Sequence, residues 1–225
     1  MSEAIGAVLS FAIGVAISPV PIIAVILMLF SARARVNAPM FLLGWAAALA
    51  VVSGVAYALS EAGNAEASSG TSDSISWGKV VIGVLLLVMA VRQWRSRPSP
   101  DAAPEMPRWM AGIDSFSPGK ALALAMLLAG VNPKNLLLSV GAGASLAQTG
   151  VSSSDALVAL LVFVIVASAT IAGPVIYYFV GGDKAKEALD SMKGWLAVHN
   201  AAVMMVLLVV FGVKLIADGL PVLGG

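Results

Sequence analysis

The chain has 225 residues, of which 60% are hydrophobic and only 11% are charged. Soluble domains carry about 25% charged residues, and a soluble domain of this size has too little interior to bury so much apolar side chain. The absence of cysteine and the single histidine exclude disulfides, thiolate chemistry and multi-histidine metal sites. A net charge of +1 gives no reason to expect nucleic acid as a partner. The composition therefore predicts a membrane protein.

Six apolar stretches predict six transmembrane helices, because a bilayer core takes about 20 apolar residues per helix. The third stretch is short but is extended by Ile75, Trp77 and Trp94. Between the second and third stretches, residues 61–76 are rich in Ser, Ala, Gly and acid, which predicts an exterior loop. The six stretches are residues 4–32, 38–60, 80–91, 121–150, 156–182 and 196–213.

Lysine and arginine predict the orientation of these helices. Basic residues collect after the first stretch, between the third and fourth, and between the fifth and sixth, whereas acidic residues dominate the opposite side. Because basic loops remain in the cytoplasm, both termini are expected outside. The basic residues are Arg33, Arg35, Arg92, Arg95, Arg97, Arg108, Lys120, Lys184, Lys186 and Lys193.

Proline-containing interruptions recur at matching places in the two halves of the chain. Residues 17–21 (ISPVP) interrupt the first stretch and residues 131–135 (VNPKN) interrupt the fourth. Each half has three stretches, an odd number, so the second half would be inverted relative to the first, as in many secondary transporters. Apolar stretches also resemble one another by composition alone, and that alternative stays open.

These observations predict an all-α integral membrane protein with six transmembrane helices in two inverted three-helix repeats. Residues 1–225 form a single transmembrane domain, with repeat 1 at about 1–95 and repeat 2 at about 118–225. A proline-rich cytoplasmic linker at about 96–117 joins them. Within the linker's last residues, Ser117 is expected to cap a helix that has Pro118 at its first position.

Pro19 and Pro21 lack backbone N–H groups, so carbonyls near residues 15–17 need other partners inside a membrane. Ser18 can supply one of them. The first stretch is also too long for the bilayer, because its 29 residues span about 43 Å as a helix. The sequence therefore predicts broken helices near Pro19 and Pro21 and near Pro133, although a simple kink is an alternative for the first.

Lys134 is expected near mid-membrane, since it follows Lys120 by 14 residues, about 21 Å along a helix. A cation there costs at least about 2.5 kcal/mol, and none of the six apolar stretches contains an acid. Its partner could be carbonyls freed by proline, a bound anion that is the substrate, or none if the lysine is neutral. A snorkelling or structurally satisfied lysine is the alternative to a functional one.

The predicted substrate site is built on this lysine and the two breaks. Half-helices direct their N-terminal amides at a break, which suits an anionic group. We assign Lys134 to pair with the anion and three neighbours, Asn132, Asn135 and Ser18, to hydrogen-bond with it. The residues that shape the breaks are Pro19, Pro21 and Pro133.

Other polar residues receive smaller roles. Asp114, Gly173 and Pro174 are candidates for a gate or hinge, whereas Ser168 and Thr170 are assigned mainly to helix packing. No nucleophile–base pair and no phosphate-binding loop is present in the sequence. We therefore expect no enzyme activity, no metal and no cofactor.

Five segments can be compared with known families: residues 17–29 (ISPVPIIAVILML), 33–37 (RARVN), 41–45 (FLLGW), 117–121 (SPGKA) and 132–136 (NPKNL). They resemble motifs of the glycopeptidolipid- and sulfolipid-addressing proteins, in the lysine exporter superfamily. The resemblance covers nearly the whole chain. It implies a six-helix, multi-pass protein of the bacterial inner membrane that assists export of envelope lipids, often acidic glycolipids, in actinobacteria.

Taken together, the residues and the resemblance predict a transporter that exports or flips an anionic envelope lipid or similar amphiphile. Its expected partners are membrane lipid, the anionic lipid-like substrate, a second copy of the chain in a homodimer, and other export proteins. One alternative is an exporter of a small amino acid or other small solute. Another is a non-transporting scaffold subunit of a lipid export complex.

Overall fold

The computed structural model describes residues 1–67, 77–95 and 108–220. These residues form seven α-helices and one 3₁₀-helix, and no strand. The 3₁₀-helix is Arg108–Ser115, and it precedes α5. The α-helices are α1 (Ser2–Ala16), α2 (Pro19–Phe30), α3 (Ala34–Ala67), α4 (Trp77–Arg95), α5 (Pro118–Gly130), α6 (Pro133–Ala147) and α7 (Ser153–Gly219).

Two pairs of helices are bent at the predicted prolines. α1 and α2 meet at 58°, and α5 and α6 meet at 65°. Pro19 occupies the first position of α2 and Pro133 the first position of α6, where a missing N–H costs nothing. The predicted breaks are thus confirmed as changes of helix direction, and they are sharper than a simple kink.

Three helices, α3, α4 and α7, are long and apolar enough to cross a membrane, and each bent pair can count as one further span, for up to five. α7 has 67 residues and is interrupted at Gly182, whose φ of 58° and ψ of −138° are not helical. The chain was expected to form a loop between residues 182 and 196. Instead residues 183–195 are helical, so the fifth and sixth apolar stretches lie in two helical arms that meet directly at Gly182.

The structure also corrects two predicted loops. The exterior loop was expected from residue 61, but α3 continues to Ala67; residues 68–76 of that loop lie outside the described residues. The linker was placed at about 96–117, and its last part is helical, since Arg108–Ser115 is a 3₁₀-helix that packs on α2; residues 96–107, the proline-rich part, lie outside the described residues. The predicted cap is confirmed, because Ser117 accepts a hydrogen bond from the Lys120 amide.

Helices from one half of the chain pack against helices from the other half. α3 packs on α5 and α6, whereas α1 and α2 pack on α7, and α4 also packs on α7. At the α4–α7 crossing, a Cβ atom at Gly83 would lie 2.7 Å from the carbonyl oxygen of Gly212, so only glycine allows this approach. Large apolar side chains such as Leu59, Leu157 and Val180 face outward. An apolar exterior of this kind suits a lipid environment.

Candidate functional site: the junction of the two helix breaks

The break between α1 and α2 removes the usual helical partners of four successive carbonyls, those of residues 14–17. Val15 and Ile17 would bond to the amides of residues 19 and 21 in a continuous helix, but both of those are prolines. The Gly14 carbonyl loses its partner too, because the Ser18 amide bonds instead to the Ala16 carbonyl at 2.9 Å. Unsatisfied carbonyls are costly inside a membrane, so the fold must supply donors here.

Lys134 of α6 supplies most of these donors. Its Nζ atom donates to the carbonyl of Gly14 at 2.7 Å, the carbonyl of Ile17 at 2.9 Å and the hydroxyl of Ser18 at 2.8 Å. The side chain is only 1% exposed. An ammonium has three protons, and all three are donated to the first half of the chain.

Two hydroxyl groups donate to the other two carbonyls, those of Val15 and Ala16. The Ser18 hydroxyl donates to the carbonyl of Val15 at 2.6 Å while it accepts from Lys134. The Thr170 hydroxyl of α7 donates to the carbonyl of Ala16 at 2.5 Å. Every carbonyl from residue 14 to residue 17 therefore has a partner, and two of the donors come from the second half of the chain.

The break between α5 and α6 is organised by two asparagines. Asn132 caps α6 by accepting from the Lys134 amide at 3.1 Å. The Asn132 amide itself bonds to the Leu127 carbonyl, which leaves the Leu128 carbonyl for the Asn135 side chain, at 2.9 Å. The Asn135 Oδ1 atom lies 3.1 Å from the Ser18 hydroxyl. We call Ser18, Lys134 and Asn135 the break junction, because they join the two breaks directly.

The electrostatics of the break junction rest on backbone dipoles. No acid forms an ion pair with Lys134 among the residues that the structure describes. The carbonyls at the C-terminal end of α1 carry partial negative charge and face the ammonium. Of the possibilities that the sequence left open for Lys134, the freed carbonyls are therefore the groups that contact its Nζ atom. In this arrangement the ammonium has no proton left for a bound anion.

The structure brings most of the predicted site residues to one place. Ser18, Lys134 and Asn135 are in direct contact, and Asn132 caps the adjoining helix. The three prolines lie in the first turns of the half-helices, Pro19 and Pro21 in α2 and Pro133 in α6. Whether these residues bind a substrate remains a prediction.

The three gate or hinge candidates make none of the hydrogen bonds of the break junction. Asp114 is exposed on the 3₁₀-helix, whereas Gly173 and Pro174 lie within α7. Sequence reasoning assigned Thr170 mainly to packing and left it out of the site, although it donates to the first break. The one sequence feature that pointed to Thr170 was its position, a hydroxyl group four residues before a proline within an apolar stretch.

Comparison with known proteins identifies the chain's relatives at the level of family. A family model described as Sap, sulfolipid-1-addressing protein, matches residues 8–221. No curated protein and no solved structure matches the chain. The match covers both helix breaks and nearly all of the described helices. Together with the apolar helices, it identifies a membrane protein of a lipid-addressing family.

Proposed function

Because the chain belongs to the sulfolipid-1-addressing protein family, we propose that it is an inner-membrane transporter that assists export or flipping of an anionic envelope lipid. The observation that carries this proposal is the break junction. Two half-helix pairs, one from each half of the chain, meet at a buried cation that hydrogen-bonds across them. Broken helices that meet near mid-membrane form the substrate sites of many transporters.

The inverted repeat is part of the proposal. The count reaches six when each bent pair is one span, α3 and α4 are one span each, and the two arms of α7, residues 153–181 and 183–219, are separate spans. The packing between the two halves supports a two-fold symmetry between the repeats, since α1 and α2 pack on α7 as α5 and α6 pack on α3. Among the described residues, one pair of interfaces departs from this symmetry. α1 packs on α6, but α2 contacts the 3₁₀-helix and forms no comparable interface with α5. This inequality supports a protein closed on one side of the junction and looser on the other.

Lys134 is proposed to link substrate binding to this movement. A sulfate, phosphate or carboxylate oxygen that reaches the break junction would compete with the carbonyls of Gly14 and Ile17 for the ammonium protons. An anionic oxygen attracts the ammonium more strongly than a neutral carbonyl oxygen does, because it carries a full negative charge. The anion would therefore draw the ammonium's hydrogen bonds away from the first half of the chain. α6 would then be released from α1, and the two halves could rearrange. Differential binding to the two arrangements is what a ligand-driven change requires.

The test is transport by the purified protein in vesicles. We expect movement of a fluorescent sulfated glycolipid between leaflets and no comparable movement of a zwitterionic phosphatidylcholine carrying the same label. Lys134→Met should stop this movement, whereas Lys120→Met, on the exposed first turn of α5, should not. Ser18→Ala, which keeps the cation but removes one of its acceptors, serves if the Lys134 variant fails to fold. Equal movement of both lipids by the wild-type protein, or normal transport by a folded Lys134→Met variant, would contradict the proposal.

One observation favours a second function, that of a non-transporting scaffold in a lipid export complex. The Lys134 ammonium is fully satisfied by the protein, as a purely structural lysine would be. A scaffold would move no lipid in vesicles, and export in cells would survive a folded Lys134→Met variant. Substitutions on the outward-facing apolar surfaces, such as Leu59 or Leu157, would instead abolish export by disrupting assembly with partner proteins.

A further inference from the structure

A cavity of about 740 Å³ lies away from the break junction, at the turn that follows α2. Its wall combines this turn, the first residue of α5 and the part of α7 around Gly182. Among the described residues that line it, three are basic, Arg33, Arg35 and Lys186, and none is acidic. We call this cavity the basic pocket.

The charge of the basic pocket is largely uncompensated. Lys186 forms an ion pair with Asp183 at 3.1 Å. Arg33 and Arg35 are exposed and form no ion pair or side-chain hydrogen bond within the described part of the chain. Pro118, the first residue of α5, also lines the pocket, so the positive end of that helix dipole adds to the field. Guanidinium groups present forked donors that match the oxygens of sulfate, phosphate and carboxylate.

An aromatic wall borders the same cations. Tyr178 and Phe179 line the basic pocket, and Phe179 is 45% exposed. A second cavity of about 680 Å³ shares Tyr178 and Lys186 with the first and is also lined by Phe30. The Phe30 and Tyr178 ring centroids lie 6.4 Å apart, and those of Tyr178 and Phe179 lie 5.5 Å apart. An inorganic anion would use only the cations, whereas an amphiphile would use the cations and the aromatic wall together.

We propose that the basic pocket is a docking site for the oxyanion headgroup of a membrane lipid, separate from the break junction. The inference rests on the proposed function, since it places the first contact of the acidic amphiphile at this pocket. Arg33 and Arg35 hold the headgroup oxygens, and Phe179 and Tyr178 lie against its apolar portion. The free inorganic anion shares the headgroup chemistry but lacks the apolar portion.

Binding to the purified chain in phosphatidylcholine nanodiscs tests the inference. The probes are a short-chain phosphatidic acid, a short-chain phosphatidylcholine and inorganic phosphate. We expect phosphatidic acid to bind, and Arg33→Gln/Arg35→Gln to weaken its binding about tenfold or more. The matched control, Arg92→Gln/Arg95→Gln, removes two exposed arginines from the last turn of α4, outside the pocket, and should change binding less than about twofold. Equal losses in both double variants would overturn the inference, because general attraction to a basic surface would then explain the binding.

A second variant separates the lipid from the free anion. Phe179→Ala should weaken phosphatidic acid binding and leave inorganic phosphate binding unchanged. Inorganic phosphate binding as tightly as phosphatidic acid, with no effect of Phe179→Ala, would overturn the lipid assignment. Single Arg35→Gln replaces the double variant if that variant does not fold. Binding is measured without transport, so the two proposals can fail separately. A wild-type protein that binds phosphatidic acid but moves no lipid contradicts only the proposed function, and normal binding by the pocket variants contradicts only this inference.

Discussion

The Nζ atom of Lys134 lies 2.7 Å from the carbonyl oxygen of Gly14, across 120 residues of sequence. This contact joins the start of α6 to the last turns of α1, so a half-helix from one half of the chain is held by a half-helix from the other. The same ammonium reaches Ile17 and Ser18. A single side chain thus satisfies three acceptors at the first helix break and fixes the position of the second.

Replacement of Lys134 by methionine should destabilise the protein, because the carbonyls of Gly14 and Ile17 would lose their donor. Each buried polar group left without a partner costs about 1–3 kcal/mol, so for two carbonyls we expect a loss of about 2–6 kcal/mol in the free energy of unfolding. Thermal unfolding in detergent measures the change. Lys120→Met, at an exposed position, should unfold at the wild-type temperature. Identical unfolding of the two variants would show that the carbonyls find other donors.

Thr170→Val should lower stability by about 1 kcal/mol, the typical net worth of one hydrogen bond. Valine matches threonine in shape but cannot donate to the Ala16 carbonyl, which accepts from the Thr170 hydroxyl at 2.5 Å. The matched control is Thr170→Ser, which keeps the hydroxyl and should lie closer to wild type. If the valine variant is as stable as the wild type, the hydrogen bond to the Ala16 carbonyl does not contribute to stability.

Gly83→Ala should loosen the crossing of α4 and α7. The added Cβ would lie 2.7 Å from the Gly212 carbonyl oxygen and 2.8 Å from the Ile216 Cγ1 atom, and overpacking of this kind costs about 1–3 kcal/mol. Gly78 lies on the same helix, and no atom of the described residues lies within 4 Å of an added Cβ there. Gly78→Ala should therefore be neutral or slightly stabilising, because alanine favours helix. The measurement is the unfolding temperature of each variant compared with that of the wild-type protein.

Gly182→Ala should strain the break in α7. The Gly182 φ of 58° with ψ of −138° belongs to a region that only glycine enters readily, and a side chain there costs about 1–3 kcal/mol. Circular dichroism and thermal unfolding should report a less stable protein. An unchanged unfolding temperature would mean that the two arms of α7 can join through another backbone conformation.

Gly173→Ala tests the predicted hinge by a different measurement. An added Cβ at Gly173 has nothing within 4 Å, so stability should be unchanged or slightly raised. If Gly173 and Pro174 form a hinge, lipid movement in vesicles should slow while the unfolding temperature holds. Wild-type rates in this variant would remove Gly173 from the mechanism.

The sequence alone determined the positions of the helix breaks, and the reason is local. A proline lacks its N–H group wherever the chain goes, so the polar residues and prolines at residues 17–21 and 131–135 favour a break there. Proline alone is not sufficient, because Pro39 and Pro174 lie within α3 and α7 without ending them. The cap of α5 at Ser117 is equally local, since its partner, the Lys120 amide, is three residues away. Apolar composition was likewise sufficient to indicate a membrane protein.

Only the tertiary structure decided which groups satisfy the broken helices. Lys134 donates a hydrogen bond to Ser18 across 116 residues of sequence, and Thr170 donates one to Ala16 across 154 residues. No sequence pattern specifies contacts at that distance, because they depend on how the two halves pack. The same holds for the basic pocket, where residues that the sequence places in separate basic segments line one cavity with Phe179. Local chemistry created the unsatisfied carbonyls, and the packing of distant helices selected their donors.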